Sequence, residues 1–405
     1  MINRWILKEL AHKLSYRRGV HLTGARQVGK STLAEMVKLD HPRRYTFDAT
    51  KTRDAARSDP YGFVKHDAGE TLVIDEVQKV PELLDAIKIV LDKDDSRGQY
   101  LLTESSNLHF AKAIKDSLAG RLGRIRLRVL SLGEINDHQP TFLDAAFSRS
   151  FKSSYPDLDK RDIIRIGFRG GYPETLELTD AERRMWFKEY LDDILEKDVQ
   201  DITEIRKIDV LRAAAVWLCA HSAQFVTTDE LAAKVGISKV TVENYLTTLK
   251  ALYLFDRLPA WTKSDYALLG KRPKWFACDT GMMAGLLKWT PEDVYLDENR
   301  SGKFVESWVY QQIAALADVA GDMEISHYRD NKRREIDFMV ERSDGTLLGI
   351  EVKAGSVSHS DFAHLKWFAE NLASAPFTGI VLYSGTDTLR FGEGFYAVPL
   401  SALGE

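Results

Sequence analysis

Residues 20–37, VHLTGARQVGKSTLAEMV, constrain this chain more than any other stretch. A short apolar run leads into a glycine loop and then a helical pattern. The loop GARQVGKS satisfies GxxxxGK[ST] in the strand–loop–helix setting that gives the motif its meaning. Such a loop cradles a phosphate chain. Gly24 and Gly29 permit backbone angles and a close approach that side chains would block. The amides of Gly24, Ala25, Arg26, Gln27, Val28 and Gly29, together with the start of the helix at Lys30, Ser31 and Thr32, then face the phosphates. Lys30 is expected to reach the β- and γ-phosphates and the Ser31 hydroxyl to ligate Mg²⁺.

The loop needs an acid at the end of a neighbouring strand. TLVIDEVQ (71–78) supplies an apolar run, Leu72 to Ile74, with Asp75 and Glu76 at its carboxyl end. Asp75 is expected in the Mg²⁺ shell, and Glu76 as the base that orients the attacking water. QYLLTESSN (99–107) reads as a third strand ending in polar residues, with Ser105 or Asn107 as the contact to the γ-phosphate. Farther on, SLAGRLGRIRLRVLSLGE alternates Arg124, Arg126 and Arg128 with Ile125, Leu127 and Val129, which predicts a solvated edge strand with one basic face. Arg121, just ahead, is a candidate arginine finger or sensor arginine; as a finger it would act on a neighbouring subunit.

Residues 141–200 read mostly helical, and RRMWFKEYLDDILEKDV is an amphipathic helix suited to cover a nucleotide. VTTDELAAKVGISKVTVENYLTTLKALYLFDRL (226–258) gives two helices around Gly236, with Ser238 as the cap of the second. Helical spacing turns Val242, Leu246 and Leu249 inward and leaves Lys239, Thr241, Asn244 and Thr248 outside; ALYLFDRLPAW then supplies a wing strand. This is helix-turn-helix geometry, whose second helix can enter a major groove. The charge is thin for that role, since residues 201–290 hold 12 Lys and Arg against 9 Asp and Glu. Arg257 to Lys274 is richer, with five bases to one acid around Trp261 and Tyr266.

The last third carries a second chemistry. An amphipathic helix (302–316) bears Glu306, and three strands follow, among them REIDFMVE and LLGIEVKAG. Alternation sets Ile336, Phe338 and Val340 on one face of their strand and Glu335 with Asp337 on the other; on the next strand Glu351 and Lys353 share a face. Were the strands neighbours, Asp337 and Glu351 would share a Mg²⁺, Glu306 would complete its shell, and Lys353 would orient the attacking water or neutralise developing charge in phosphodiester cleavage. A lone Glu-x-Lys is a weak signal; the surrounding acids strengthen it. Lys366 faces the site less surely, and His359 and His364 read as structural. The order helix, β-meander, helix, strand resembles the core of the PD-(D/E)xK nuclease superfamily.

LTGARQVGKSTL, VIDEVQKVPELLDAIK, LAGR, YLFDRLPAW, KWFACDTG and EIDFMVE…IEVKAG occur in this order. Together they resemble the prokaryotic AAA-type ATP-binding proteins with an uncharacterised carboxy-terminal domain, over nearly the whole chain. The resemblance implies ATP rather than GTP, with Lys30, Ser31, Asp75 and Glu76 in the Walker roles. Glu104 departs from it, because members carry glycine there; an acid at that point would repel the γ-phosphate and slow turnover.

The fold class expected is α/β multidomain: a P-loop AAA-type ATPase domain (1–140), a helical lid with a winged helix (141–290) and a restriction-endonuclease-like α/β domain (291–405). The formal charge of −4 excludes polyanion binding by bulk charge. Cys219 and Cys278 lie far apart, which fits a reducing compartment and excludes a cysteine zinc site. The charged start MINRWILKEL is no signal peptide and no apolar run would span a membrane, so a cytoplasmic protein is expected. Its partners are expected to be ATP with Mg²⁺, DNA, and a second copy of itself if Arg121 is a finger. Two functions stay open: an ATPase gating a Mg²⁺-dependent nuclease, or an ATP switch that grips DNA or a protein through an inactive nuclease-like domain.

Overall fold

The structure, a computed structural model, describes residues 2–105, 114, 117–197, 199, 207–263, 271–374 and 376–405. Five parallel strands form the first sheet: β1 (Gly19–Thr23), β2 (Pro42–Thr46), β3 (Thr71–Asp75), β4 (Tyr100–Thr103) and β5 (Leu122–Arg126), in the spatial order β2-β3-β4-β1-β5. Parallel pairing requires crossover connections, and helices such as Lys30–Met36 and Leu83–Lys93 provide them. Both faces are therefore covered, and Leu22, Ile74 and Leu102 have no exposed surface. Because β4 lies between β1 and β3, Thr23, Thr103 and Asp75 end on one rim, where α/β sheets bind ligands.

The expected solvated face of β5 is corrected. Only Arg124 faces solvent. Arg126 and Arg128 each donate to the Asp256 carboxylate at 2.7 Å, and Arg128 also meets Asp318 at 2.5 Å. Tyr310 donates its hydroxyl to the same Asp256 at 2.8 Å. Burial alone would raise the Asp256 carboxyl, but the two guanidiniums overcome it and hold it far below the usual carboxylate range. The edge of the first sheet is thus joined to the rest of the chain by a half-buried ionic seam.

The middle of the chain is helical. Helix Asp180–Lys197 comes before Ile208–Ala220, then Thr228–Val235 and Lys239–Ala251. Gly236 takes the left-handed conformation (φ +69°) that ends the third of these, and Ser238 caps the fourth by accepting from the Thr241 amide. A small antiparallel sheet follows, in which β8 (Lys274–Ala277) lies between β6 (Gln224–Phe225) and β7 (Phe255–Leu258). Thr248, expected outside, is buried and donates to Asn244 O one turn back.

In the last third, helix Glu298–Ala320 packs against β8 and the second sheet, and 14 of its 23 residues are buried. Burial on nearly every side marks a core helix. The sheet runs β13-β14-β12-β11-β10-β9, from β9 (Met323–Arg329), β10 (Glu335–Arg342), β11 (Leu347–Val352), β12 (Phe377–Tyr383), β13 (Leu389–Gly392) and β14 (Phe395–Pro399). β10 departs from strict alternation: its register with β9 shifts between Ile336 and Met339. As a result Ile336 packs into one apolar cluster while Phe338 and Val340 join the other, instead of sharing a face. A bulge re-aims the side chain beside it, here Asp337.

Candidate functional site

The phosphate loop is held open by its backbone. Gly24 has φ +151°, and a Cβ there would come within 2.3 Å of Leu127 O, so no other residue fits. Gly29 (φ +95°) and Gln27 (φ +60°) make the turn into helix Lys30–Met36. Arg4 fixes the loop from the side by donating to Val28 O at 2.9 Å and to Arg128 O at 2.7 Å. The Lys30 ammonium, 5% exposed, donates to Gly24 O and Ala25 O at 3.1 and 2.6 Å. Burial pulls it down to about 8, while Glu76 and Asp75 raise it. Among the described residues no carboxylate forms an ion pair with it.

The acids at the end of β3 are arranged around this lysine. Ser31 donates its hydroxyl to Asp75 Oδ2 at 2.9 Å, and Thr103 donates to Asp75 Oδ1. Ser31 and Asp75 supply hard oxygen donors, which suits Mg²⁺. Glu76 takes the left-handed conformation (φ +58°). Ser105 donates to its Oε1 and Gln78 to its Oε2, each at 2.6 Å. The carboxylate is therefore oriented at the mouth of the cleft. Glu104, expected to confront the γ-phosphate, instead turns to His21 Nε2 at 2.7 Å and is buried. Thr103 and Gln78 were not foreseen; Thr103 could have been, as the last residue of a strand beside the acid. Asn107 lies outside the described residues.

Two cavities flank the loop. One, of about 620 Å³, is walled by Lys30 to Leu33 and by the apolar Ile2, Val28, Met36, Leu130 and Pro173. The other, of about 530 Å³, runs from Arg26, Gln27 and Glu76 to Trp186, Glu189, Tyr190 and Asp193 of helix Asp180–Lys197. Tyr190 donates to Arg26 O at 3.1 Å, so the helix expected to cover the nucleotide does meet the loop. Arg121 lies away from both walls and makes a two-point pair with Asp92 at 2.6 and 2.8 Å.

The carboxy-terminal acids form a different arrangement. Asp337 and Glu351 lie on adjacent strands, and Glu306 approaches from helix Glu298–Ala320. Lys274 of β8 enters among them. Its ammonium, 2% exposed, lies 2.9 Å from Glu306 Oε1, 2.6 Å from Glu335 Oε1 and 3.4 Å from Asp337 Oδ1. The Val352 amide donates to Asp337 Oδ2 at 2.9 Å. Burial lowers Lys274, but Glu306, Asp337 and Glu335 overcome that and hold it above the usual lysine range. Burial and then Asp337 push Glu306 up to about 8, against Lys274. The same two causes raise Glu351 well above its ordinary value. Lys353 points elsewhere, toward Asp361 at 3.6 Å, and is 41% exposed.

This set does not fit a divalent ion as it stands, because the place between the acids is taken by an ammonium. Among the described residues no group of three or more His, Cys, Asp or Glu is arranged to hold a metal ion. Sequence reasoning counted Lys274 with a surface basic stretch. The available signal was its place at the head of a strand that continues Trp-Phe-Ala, and all four residues are buried. Arg257, Lys263, Lys271 and Arg272 of that stretch are exposed, and Tyr266 lies outside the described residues.

Residues 16–136 match the family model described as an AAA domain. Residues 160–293 and 301–403 match two models, each described as a domain of unknown function (DUF8612 and DUF4143). Uncharacterized proteins of Mycobacterium tuberculosis and Mycobacterium bovis are each 28% identical over 353 residues, 84% of this chain and 72% of the relative. Among solved structures, the Thermotoga maritima RuvB Holliday junction branch migration motor is 18% identical and covers 64% of this chain and 90% of its own, at a TM-score of 0.29. A Vibrio cholerae protein is 11% identical over 96% and 95% of the two chains, at 0.22. No helix among the described residues is long and apolar enough to cross a membrane. The amino-terminal third is thus an AAA-type P-loop domain on a parallel α/β sheet, joined to two domains of unknown function.

Proposed function

We propose that this protein is an ATP-hydrolysing switch acting on a module that binds DNA or a protein partner, and that its carboxy-terminal domain grips without cutting. The observation that carries the reading is the convergence of Lys30, Ser31, Asp75 and Glu76 at one end of β1, β3 and β4, with Glu76 oriented by Ser105 and Gln78. The apolar wall of Ile2, Met36, Leu130 and Pro173 suits a purine base, and the loop amides suit the triphosphate. Lys30 exchanges its carbonyl partners for phosphoryl oxygens. Mg²⁺ held by Ser31 and Asp75 would offset charge on the β- and γ-phosphates. Glu76 orients the attacking water and accepts its proton.

Occupancy of the loop is transmitted through groups that touch it. Arg4 joins Val28 O to Arg128 O, and the Arg128 side chain belongs to the Asp256 seam. Tyr190 joins the loop to helix Asp180–Lys197. The module so controlled is read as a winged helix, with helix Lys239–Ala251 followed by the β7–β8 ribbon. Arg257, Lys263, Lys271 and Arg272 give the ribbon an exposed basic edge that suits a phosphate backbone, whereas Glu243 on the outward face of the helix does not. The unpaired cysteines suit a reducing, cytoplasmic setting.

ATP turnover by the full chain, compared with Glu76→Gln, tests the switch, and no hydrolysis by the wild type would refute it. The rival reading, a Mg²⁺-dependent nuclease at Asp337, Glu351 and Lys353, draws on Asp337 and Glu351 lying side by side. Plasmid nicking that disappears in Asp337→Ala would establish that rival.

A further inference from the structure

Lys274 belongs to the small middle sheet, yet its side chain ends among acids of the carboxy-terminal sheet and of helix Glu298–Ala320. We propose that Lys274 is the resident cation of this carboxylate cage, standing where a divalent metal would otherwise bind and closing the cage to Mg²⁺ and Mn²⁺. The inference deepens the non-cleaving reading above and does not depend on how ATP is used.

The donor count supports it first. An ammonium has three N–H groups, and three carboxylates surround this one, Glu306, Glu335 and Asp337. Burial to 2% exposure leaves little access for water, so the acids have taken the place of solvent around the charge. Asp337 is aimed as well as near. The bulge in β10 turns it so that one oxygen accepts the Val352 amide while the other meets Lys274. Arg329 lies 3.6 Å from the far oxygen of Glu335, on the outer side of the cage.

A second, independent observation marks the cage as a cation site. Glu351 is 8% exposed and lies against Asp337, and among the described residues its Oε1 is buried without a hydrogen-bond partner. The His364 Nδ1 lies 4.0 Å from that oxygen. Three carboxylates therefore meet the ammonium, and Glu351, against Asp337, carries an oxygen that the ammonium does not reach. Without the lysine the cage would contain oxygen donors alone, which is the chemistry of a hard divalent ion.

The test uses the full chain without nucleotide and Mn²⁺ as the probe, read by calorimetry and by thermal melting. Wild type and Asp337→Asn should bind Mn²⁺ alike. Lys274→Ala should gain a Mn²⁺ site and melt higher when Mn²⁺ is added. The double variant with Asp337→Asn should lose about 10–100-fold of that affinity. Mn²⁺ binding by the wild type that Asp337→Asn abolishes would overturn the proposal, as would a folded Lys274→Ala that gains no site. Should Lys274→Ala fail to fold, the pair of wild type and Asp337→Asn still decides. Failure of the ATP reading would appear separately, as absent turnover, and would leave these Mn²⁺ results unchanged.

Discussion

The amino-terminal and carboxy-terminal sites contain the same kinds of residue in opposite arrangements. Each sets a buried lysine among nearby acids. At the phosphate loop, Lys30 donates to backbone carbonyls, and Asp75 and Glu76 are held by hydroxyls and an amide. In the cage, Lys274 donates to the acids themselves. The electrostatic consequence follows directly. Burial pulls Lys30 down to about 8, whereas Glu306, Asp337 and Glu335 overcome burial and raise Lys274. The first site keeps both its charge and its acids for a ligand. The second has used them on each other.

If this contrast is right, Glu76→Gln should lower ATP turnover by about 10²–10⁴-fold with nucleotide still bound, whereas Asp337→Asn should leave turnover unchanged. Phosphate release and nucleotide titration on the two variants check this. The lysines should separate in the same way. Lys30→Ala should weaken ATP binding with little effect on folding. Lys274→Ala should cost about 3–5 kcal/mol of stability, because Glu335 and Asp337 lose their buried counter-charge, and should spare ATP affinity. Urea unfolding beside calorimetry distinguishes these outcomes; equal stability losses would erase the contrast.

Asp256→Ala removes the shared partner of the half-buried Arg126 and Arg128, leaves Arg128 only Asp318, and should cost about 3 kcal/mol in urea unfolding. A cost near zero would show that the seam is open to water. The smallest effect concerns His327, next to the cage. Burial, then the charges of Lys274, Arg329 and Lys271, push its imidazole down to about 4, against an accepting contact from Arg272 O. A folded value below the ordinary 6.5 means that its stability contribution is complete above pH 6.5 and is lost as pH falls from 6.5 toward 4. That loss should be about 1.4 kcal/mol per pH unit in the window and absent in His327→Gln. Parallel pH curves for the two proteins would reject it.

The two sites also differ in how far the sequence revealed them. The phosphate loop is contiguous, and its glycines, Lys30 and Ser31 act through local backbone geometry, so eight residues in a row specify it. Asp75 and Glu76 were legible because an apolar run ending in acid is itself a local pattern. The cage is not local. Lys274 meets residues 32 and 63 positions away, and from sequence it looked like one more base in a surface stretch. The alternating arginines of β5 misled for the same reason, since alternation gives the face of a strand and not what covers it. Asp256 within the apolar run LYLFDRL was the missed hint of a buried partner. The bulge at Asp337 was invisible too, because it comes from the pairing of β10 with β9.

By itself the sequence determined the strand–loop–helix cradle, the acid-tipped strand beside it, the cap at Ser238 and the succession of helices and strands, all of which depend on spacing along the chain. Only the tertiary structure decided which charges answer one another: Arg126 and Arg128 with Asp256, Glu104 with His21, Lys274 with its acids. Backbone preference acts over a few residues. A buried charge must find its counter-charge across the fold, wherever the packing of sheets and helices brings the two together.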